Sequence, residues 1–476
     1  MKCFPLTAFF LAWLGISCQP KEPVRTLPPN IVLIVADDLG WGDLGCYGET
    51  FIETPFLDRM AAEGVAFSQG YAAAPLCSPT RASIQTGLSP ARINLTEHIH
   101  GFPEPRPDQA IIPPRIEQGL SLDHTDLGSM LKQAGYVTAH IGKWHLGGGE
   151  FSPEHRGYDL AFAGSWAGLP PTFFYPFFPG GAYPELRTIS QEGDYLPDVL
   201  TRRALDFIEA QRDTSFFVGL HFYAPHVPIE APDSLVEIYR QKRGGAPDSL
   251  LPNVHYAAMV SALDRNVGRV LETLERLGLR SHTLVVFVSD NGGLDVREVP
   301  AFAQHTPPTT NAPLRAGKGY LYEGGIREPF LFWGLDLPAK PEMEATPIIT
   351  HDLYNTFASL AGQESRSPDG IDLMPLLQGK AVPERALHWH FPHYSPQGGM
   401  PGAVIRQGTY KLIEWYEDGS YDLYDLLADP GEQQNLVGEQ PKRVEALKAA
   451  LSAWRDSVGA KMPEPNPDFR SSPSVP

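Results

Sequence analysis

Two apolar runs in this chain of 476 residues stop on acidic residues, and they constrain the fold more than any other feature. Ile31-Val32-Leu33-Ile34-Val35-Ala36 runs straight into Asp37-Asp38. Leu284-Val285-Val286-Phe287-Val288 runs through Ser289 into Asp290-Asn291. Unbroken runs rich in β-branched residues fit strands buried on both faces, as in parallel sheets. In open α/β sheets, ligands collect beyond the carboxyl ends of the strands. Carboxylates and an amide oxygen gathered there form an all-oxygen set, which suits Ca2+ or Mg2+ rather than zinc. Taken singly, each pair also fits a turn or a helix cap.

Further strand-like runs lie near Val137, Phe216 and Phe330. Helical patterns at 54–63, 78–86, 126–134, 198–212 and 255–277 are interleaved with them. This alternation predicts an α/β fold, a large, mostly parallel sheet covered by helices on both faces. After about residue 370 the pattern changes. Short segments at 388–391, 403–406, 410–415 and 421–425 read as antiparallel strands with tight turns such as Asp418-Gly419. A helix over 442–458 follows. The expected division is a catalytic domain at 30–370, a smaller C-terminal α+β domain at 371–463, and a disordered tail at 464–476. The 45 Gly and 47 Pro require many long loops, the usual place for binding sites. The loop at 166–194 is full of aromatics, from Phe173 to Tyr183, and is a candidate lining for a sugar cleft, although loop packing is the commoner role.

The net charge of −18 argues against a nucleic-acid binder. It also offers no global attraction for a polyanion, so any such attraction must be local. Lys2 and the apolar stretch 4–16 form an export signal too short to span a bilayer permanently. Leu14-Gly15-Ile16-Ser17-Cys18 resembles a bacterial lipoprotein cleavage site, with Leu four rather than three places before the Cys. That resemblance implies a signal at 1–18, lipidation of Cys18 and a tether at 19–29. The chain would then be a periplasmic or outer-membrane lipoprotein, with ordinary secretion as the alternative. Cys46 reads as a small buried residue, and no disulfide framework is expected.

Cys77-Ser78-Pro79-Thr80-Arg81 carries the chemistry. Pro79 suits the first turn of a helix. Cys77 then sits at the positive helix end, and Arg81 shares its face four residues on. The pentad resembles the activation motif of type I sulfatases, of the alkaline phosphatase superfamily. Gly135-Tyr136-Val137-Thr138-Ala139-His140-Ile141-Gly142-Lys143-Trp144-His145 resembles the second motif of that family. Lys143 and His145 lie two apart and point the same way on an extended segment. His221-Phe222-Tyr223-Ala224-Pro225-His226 and Arg315-Ala316-Gly317-Lys318-Gly319 resemble the segments carrying the family's leaving-group histidine and second lysine. One departure is Gln85, where the family usually has an apolar residue; a change in packing, not in chemistry, is expected.

The resemblance implies the following. Cys77 is oxidised by a maturase to formylglycine, the nucleophile. Asp37, Asp38, Asp290 and Asn291 hold Ca2+, or Mg2+ as second choice, with the modified Cys77 completing the shell. Arg81, Lys143 and Lys318 stabilise the sulfuryl charge, His226 protonates the leaving oxygen, and His145 serves the modified Cys77. The implied activity is hydrolysis of sulfate monoesters. Export, the aromatic loops and the His-Trp-His segment point to a sulfated glycan, and a pocket between two domains to exo action on it, with galactose-type sugars as one candidate. Ser165 is a candidate contact to the sulfate, and Trp389, His390 and His393, at the opening of the second domain, are candidate sugar contacts. The alternatives are a phosphomonoester or phosphonate hydrolase of the same superfamily, and a non-catalytic glycan-binding lipoprotein. Membrane contact is expected only through the lipid.

Overall fold

The computed structural model describes residues 27–99, 104–340, 342–364 and 367–470. The expected export signal at 1–18, with Cys18, lies outside the described residues. The strands are β1 (Asn30–Ala36), β2 (Val65–Tyr71), β3 (Ile111–Ile112), β4 (Val137–Gly142), β5 (Leu160–Phe162), β6 (Phe216–His221), β7 (Thr283–Ser289), β8 (Arg327–Gly334), β9 (Ile348–Ile349), β10 (Leu387–Phe391), β11 (Gly402–Gln407), β12 (Tyr410–Trp415), β13 (Tyr421–Asp425) and β14 (Glu464–Pro465). Eight of them form one sheet in the order β5-β4-β6-β1-β7-β8-β2-β9. Pairing is parallel throughout except at β8, which runs against both β7 and β2.

All seven residues of β1 and all seven of β7 are buried, as unbroken apolar runs require. Helices cover both faces of the sheet. One apolar cluster includes Val32, Ile34, Leu263 and Val267. The other includes Ile31, Leu33, Ile84 and Phe357. The odd and even residues of β1 thus feed opposite layers, the period-2 consequence of the pleat. The helix Pro55–Glu63 starts on a proline, and buried Asp264 accepts from the orphan N–H groups of Phe56 and Leu57.

The second sheet is antiparallel, in the order β10-β11-β12-β13, with the helix Pro441–Val458 packed beside it. The predicted boundary at 371 falls inside the main core, because Leu373, Leu376 and Leu377 belong to the cluster beneath β1. Trp389 and Lys411 fasten this sheet to the large domain. The Trp389 indole donates to the Ala72 carbonyl at 2.7 Å and packs edge-on against Tyr71. The Lys411 ammonium is fully buried between Glu323, at 3.0 Å, and Glu432, at 2.8 Å. The expected disorder from 464 onward is corrected for 464–470. β14 pairs with β3, and the Asn466 amide donates to the carbonyls of Arg106 and Gln109.

Candidate active site

Four neighbouring parallel strands, β4-β6-β1-β7, deliver the site from their carboxyl ends. Their register places Gly142 beside His221 and Ala36 beside Ser289. Lys143, Asp37 and Asp290 therefore emerge at one level. The backbone continues that alignment past the strands. Lys143 N–H donates to His221 O at 2.8 Å, Asp37 N–H to Ala224 O at 3.1 Å, and Asp290 N–H to Ala36 O at 3.2 Å. Gly142 has φ +97°, and a Cβ there would collide with the His221 carbonyl. Asp38 and His145 hold positive φ, 63° and 57°, which turns both side chains back toward the centre. Such backbone persists only where surrounding structure fixes it.

Cys77 opens the helix Cys77–Thr86 and is buried. Its Sγ lies 3.3 Å from His145 Nδ1. Burial pushes the thiol above its ordinary pKa although Lys143 and Lys318 pull the other way. Arg81, on the same helix face, is 1% exposed. It donates to Asp290 Oδ2 at 2.7 Å, to the Lys143 carbonyl at 3.0 Å and to His221 Nδ1 at 3.2 Å.

The cations and carboxylates interlock. Lys143 Nζ lies 2.8 and 2.7 Å from the two Asp37 oxygens. Lys318 Nζ donates to Asp38 Oδ2 at 2.7 Å and to His226 Nε2 at 2.9 Å. Burial raises the Asp37 carboxyl well above its ordinary range, outweighing Lys143. Burial also acts to raise Asp38, but the charges of His226, Lys318 and Lys143 prevail and hold it low. Burial lowers His226 to about 3 against the opposing pull of Asp38. His145 is pushed well below its ordinary value by burial and by Lys143.

The donor set fits a hard cation. Asn291 spends its amide nitrogen on Asp38 Oδ1, at 2.8 Å, and on Gly292 O, at 3.0 Å. Its Oδ1 is buried with no hydrogen-bond partner among the described residues. A buried carbonyl oxygen without a donor costs free energy that a cation would return. With all three carboxyls ionised, as metal ligands are, Asp37, Asp38 and Asp290 would balance Arg81, Lys143 and Lys318 in charge, so a divalent ion would make the centre net positive, as an anionic substrate requires. His226 approaches the same cluster: one atom each of Asp37, Asp38 and His226 lies within 4.8 Å of the others. The sequence reading gave that histidine no place beside the carboxylates.

A cavity of about 310 Å3 opens above this centre. Cys77, His145, His226 and Lys318 form its floor, and His98, Trp166, Val299, Phe302 and Gln397 stand in its walls. The predicted sugar contacts are placed elsewhere. Trp389 is 1% exposed, in the domain junction. His390 is buried, with Tyr416 OH 2.7 Å from Nδ1 and the Lys461 carbonyl 2.9 Å from Nε2. His393 bonds Thr96 Oγ1 at 2.8 Å and lines a separate cavity with Tyr394 and Arg115. The pleat alternates, so Trp389 faces the junction while His388 and His390 face the other side of the sheet, against Trp454 and Tyr416. The small domain instead reaches the reaction cavity through Pro396 and Gln397, on a loop with no sequence signal beyond its glycines. Ser165 contributes its carbonyl to His145 N–H. Phe173, Phe177, Phe178 and Tyr183 are core residues, and of this loop's aromatic residues only Trp166 reaches the cavity.

The comparisons agree with this geometry. Residues 29–363 match the Sulfatase family model, and residues 316–456 match a model described as N-sulphoglucosamine sulphohydrolase, C-terminal. N-acetylgalactosamine-6-sulfatase of Homo sapiens is 35% identical over 448 residues, covering 89% of this chain and 78% of that protein. Arylsulfatase A of Homo sapiens is 33% identical over 489 residues, covering 90% and 89%. The crystal structure of Ps i-CgsB superposes with a TM-score of 0.74 at 27% identity, covering 93% of this chain and 94% of that one. A fold of this kind with such a centre defines a sulfuric ester hydrolase. The chain belongs to the sulfatase family.

Proposed function

We propose that this protein removes sulfate from a terminal sugar of the galactose series, using formylglycine made from Cys77 and one Ca2+. The observation that carries this reading is the convergence of Cys77, His145, His226 and Lys318 on the floor of a single cavity, with Arg81 and Lys143 buried beneath it in ion pairs with Asp290 and Asp37 of an oxygen-rich cluster. N-acetylgalactosamine-6-sulfatase among the relatives, and a Ps i-CgsB structure in complex with k-i-k-neocarrahexaose, support a saccharide of that series. The cavity is at the small end of small-molecule sites, which favours a chain end over a chain interior.

Asp37, Asp38, Asp290 and Asn291 would hold the ion, which would supply positive charge to the sulfuryl oxygens. Formylglycine would supply a hydrated aldehyde whose two hydroxyls allow attack on sulfur and later release of sulfate. The chain's own groups do the rest. Arg81, Lys143 and Lys318 stand fixed before the reaction begins, so charge developing on sulfuryl oxygens meets donors that need no reorganisation. Lys318 donates to His226 Nε2, so a proton is available at the position assigned to the leaving oxygen. His145 Nδ1 is within reach of the atom bonded to Cβ of residue 77 and can move a proton there. The apolar wall residues limit water around the bound ester. An exported protein matured by a formylglycine-generating enzyme completes the reading.

A panel of sugar sulfates, aryl sulfates and the matching phosphate esters tests it. Sulfate release with a preference for sugar sulfates is expected. Preference for phosphate esters would overturn it.

A further inference from the structure

The wall of the reaction cavity carries a carboxylate–histidine pair that the reaction does not use. Glu97 Oε1 accepts from the backbone N–H of His98 at 2.9 Å and from its ring Nδ1 at 2.6 Å. Glu97 is 4% exposed, whereas the His98 side chain is 32% exposed and borders the cavity. With Nδ1 committed to Glu97, Nε2 is the polar atom left for a ligand. The segment is anchored on both sides. Ile99 N–H donates to Ser78 Oγ at 3.3 Å, and that hydroxyl donates to the His145 carbonyl at 2.8 Å. Thr96 is tied to His393 of the small domain. The imidazole is thus fixed relative to Cys77 itself, the support that a positioned contact requires.

The rest of the cavity lining complements this imidazole. Glu298 Oε1 accepts from Gln397 Nε2 at 2.9 Å, and Phe302 and Trp166 supply apolar surface. Among the described lining residues, Lys318 is the one lysine and no arginine is present. Lys318 is already engaged by Asp38 and His226. Above its floor the cavity therefore offers a hydrogen-bonding imidazole, an amide and a carboxylate, with no further lysine or arginine among the described lining residues for a second anionic group of the substrate.

We propose that His98 is a specificity-determining contact, accepting a hydrogen bond at Nε2 from a hydroxyl of the sulfated sugar, and that Glu97 is its positioning residue. The site then selects a sugar that carries one sulfate and is otherwise uncharged. This rests on the sulfatase reading, and the test separates the two.

The test uses Cys77→Ala protein loaded with Ca2+, so that binding is read without turnover. Calorimetry compares inorganic sulfate, galactose 4-sulfate, galactose 6-sulfate, N-acetylgalactosamine 6-sulfate and glucosamine 2-N,6-O-disulfate. A monosulfated neutral sugar is expected to bind tighter than either the disulfate or inorganic sulfate. Adding His98→Ala should weaken the best sugar about tenfold relative to inorganic sulfate. Glu97→Ala should do much the same, and Glu97→Gln, whose amide oxygen can still accept from Nδ1, should recover part of the loss. In matured enzyme the His98 and Glu97 effects should fall on KM more than on kcat. The proposal is overturned if the disulfate binds best, if no sugar exceeds inorganic sulfate, or if His98→Ala weakens sugar and sulfate equally or not at all. Absence of sulfate-ester turnover by matured parent enzyme would instead overturn the sulfatase reading, and the binding arm would still decide the role of His98.

Discussion

His145 Nδ1 lies 3.3 Å from Cys77 Sγ, while His226, on the same cavity floor, pairs with Lys318 instead. In the proposed reaction the two histidines would serve different ends, and substrates with different leaving groups should tell them apart.

Replacing His145 with Ala should lower kcat about 10²–10⁴-fold for a sugar sulfate and an aryl sulfate alike. The group it serves belongs to the enzyme and is common to both substrates. Steady-state kinetics on 4-nitrophenyl sulfate and a galactose-series sugar sulfate read this directly. A loss confined to the sugar would assign His145 to the leaving group.

Replacing His226 with Ala should cost the sugar sulfate about 10²–10⁴-fold and the aryl sulfate far less. A sugar alkoxide is a poor leaving group without a proton, whereas nitrophenolate leaves unaided. Equal losses on both substrates would show that His226 acts on charge or on the metal, as its 3.4 Å approach to Asp38 allows.

Metal loading should be visible in stability. Ca2+ at a hundredfold its Kd should stabilise the fold by about 2.7 kcal/mol. Asn291→Ala should shrink that increment, because the orphaned Oδ1 is then absent. Thermal denaturation with and without chelator measures both. Stoichiometric zinc by elemental analysis, with no alkaline-earth metal, would reject the site.

Lys411 joins the two domains by charge rather than by apolar contact. Lys411→Met removes the ammonium between Glu323 and Glu432, leaving Glu323 only the longer 3.7 Å approach of Arg327, and should cost about 3–5 kcal/mol. Glu432→Gln should cost much less. Burial, with the neighbouring Glu323 charge, raises the Glu432 carboxyl to about 7 although Lys411 opposes it. A carboxyl raised in the folded state subtracts stability as pH climbs from its unfolded value to its folded one. The Gln variant should therefore gain on the parent between about pH 4 and 7 and hold that gain above. Urea denaturation across this range checks the sign.

The clustering of Asp37, Asp290 and Lys143 was legible because these residues sit at the ends of strands whose apolar runs are unmistakable. Asp37 and Asp290 follow β1 and β7, and parallel register brings such ends together without further information. Lys143 needed only the run of β4 before it. The strand β2 was missed because Ser68, Gln69 and Gly70 interrupt its apolar pattern, where its pairing with β8 shifts register. The sugar contacts were misread for a different reason. A Trp flanked by histidines carries no sign of which face of a strand meets the other domain, and here that face is covered by Tyr71 and Ala72. Gln85 accepts from Tyr158 OH at 2.8 Å in the core, so the departure from the family's apolar residue bought a buried hydrogen bond away from the reacting groups. The pair at Glu97 and His98 lies on an irregular loop, where no periodicity announces what a side chain faces.

The central claim is that sulfate release depends on Cys77. Inorganic sulfate should be measured by ion chromatography after incubation with a galactose-series sugar sulfate. The parent protein and Cys77→Ala would both be produced with a formylglycine-generating maturase, with circular dichroism confirming that both are folded. The account predicts many turnovers by the parent and release by the variant no greater than the enzyme-free blank. Equal release by parent and variant would contradict it.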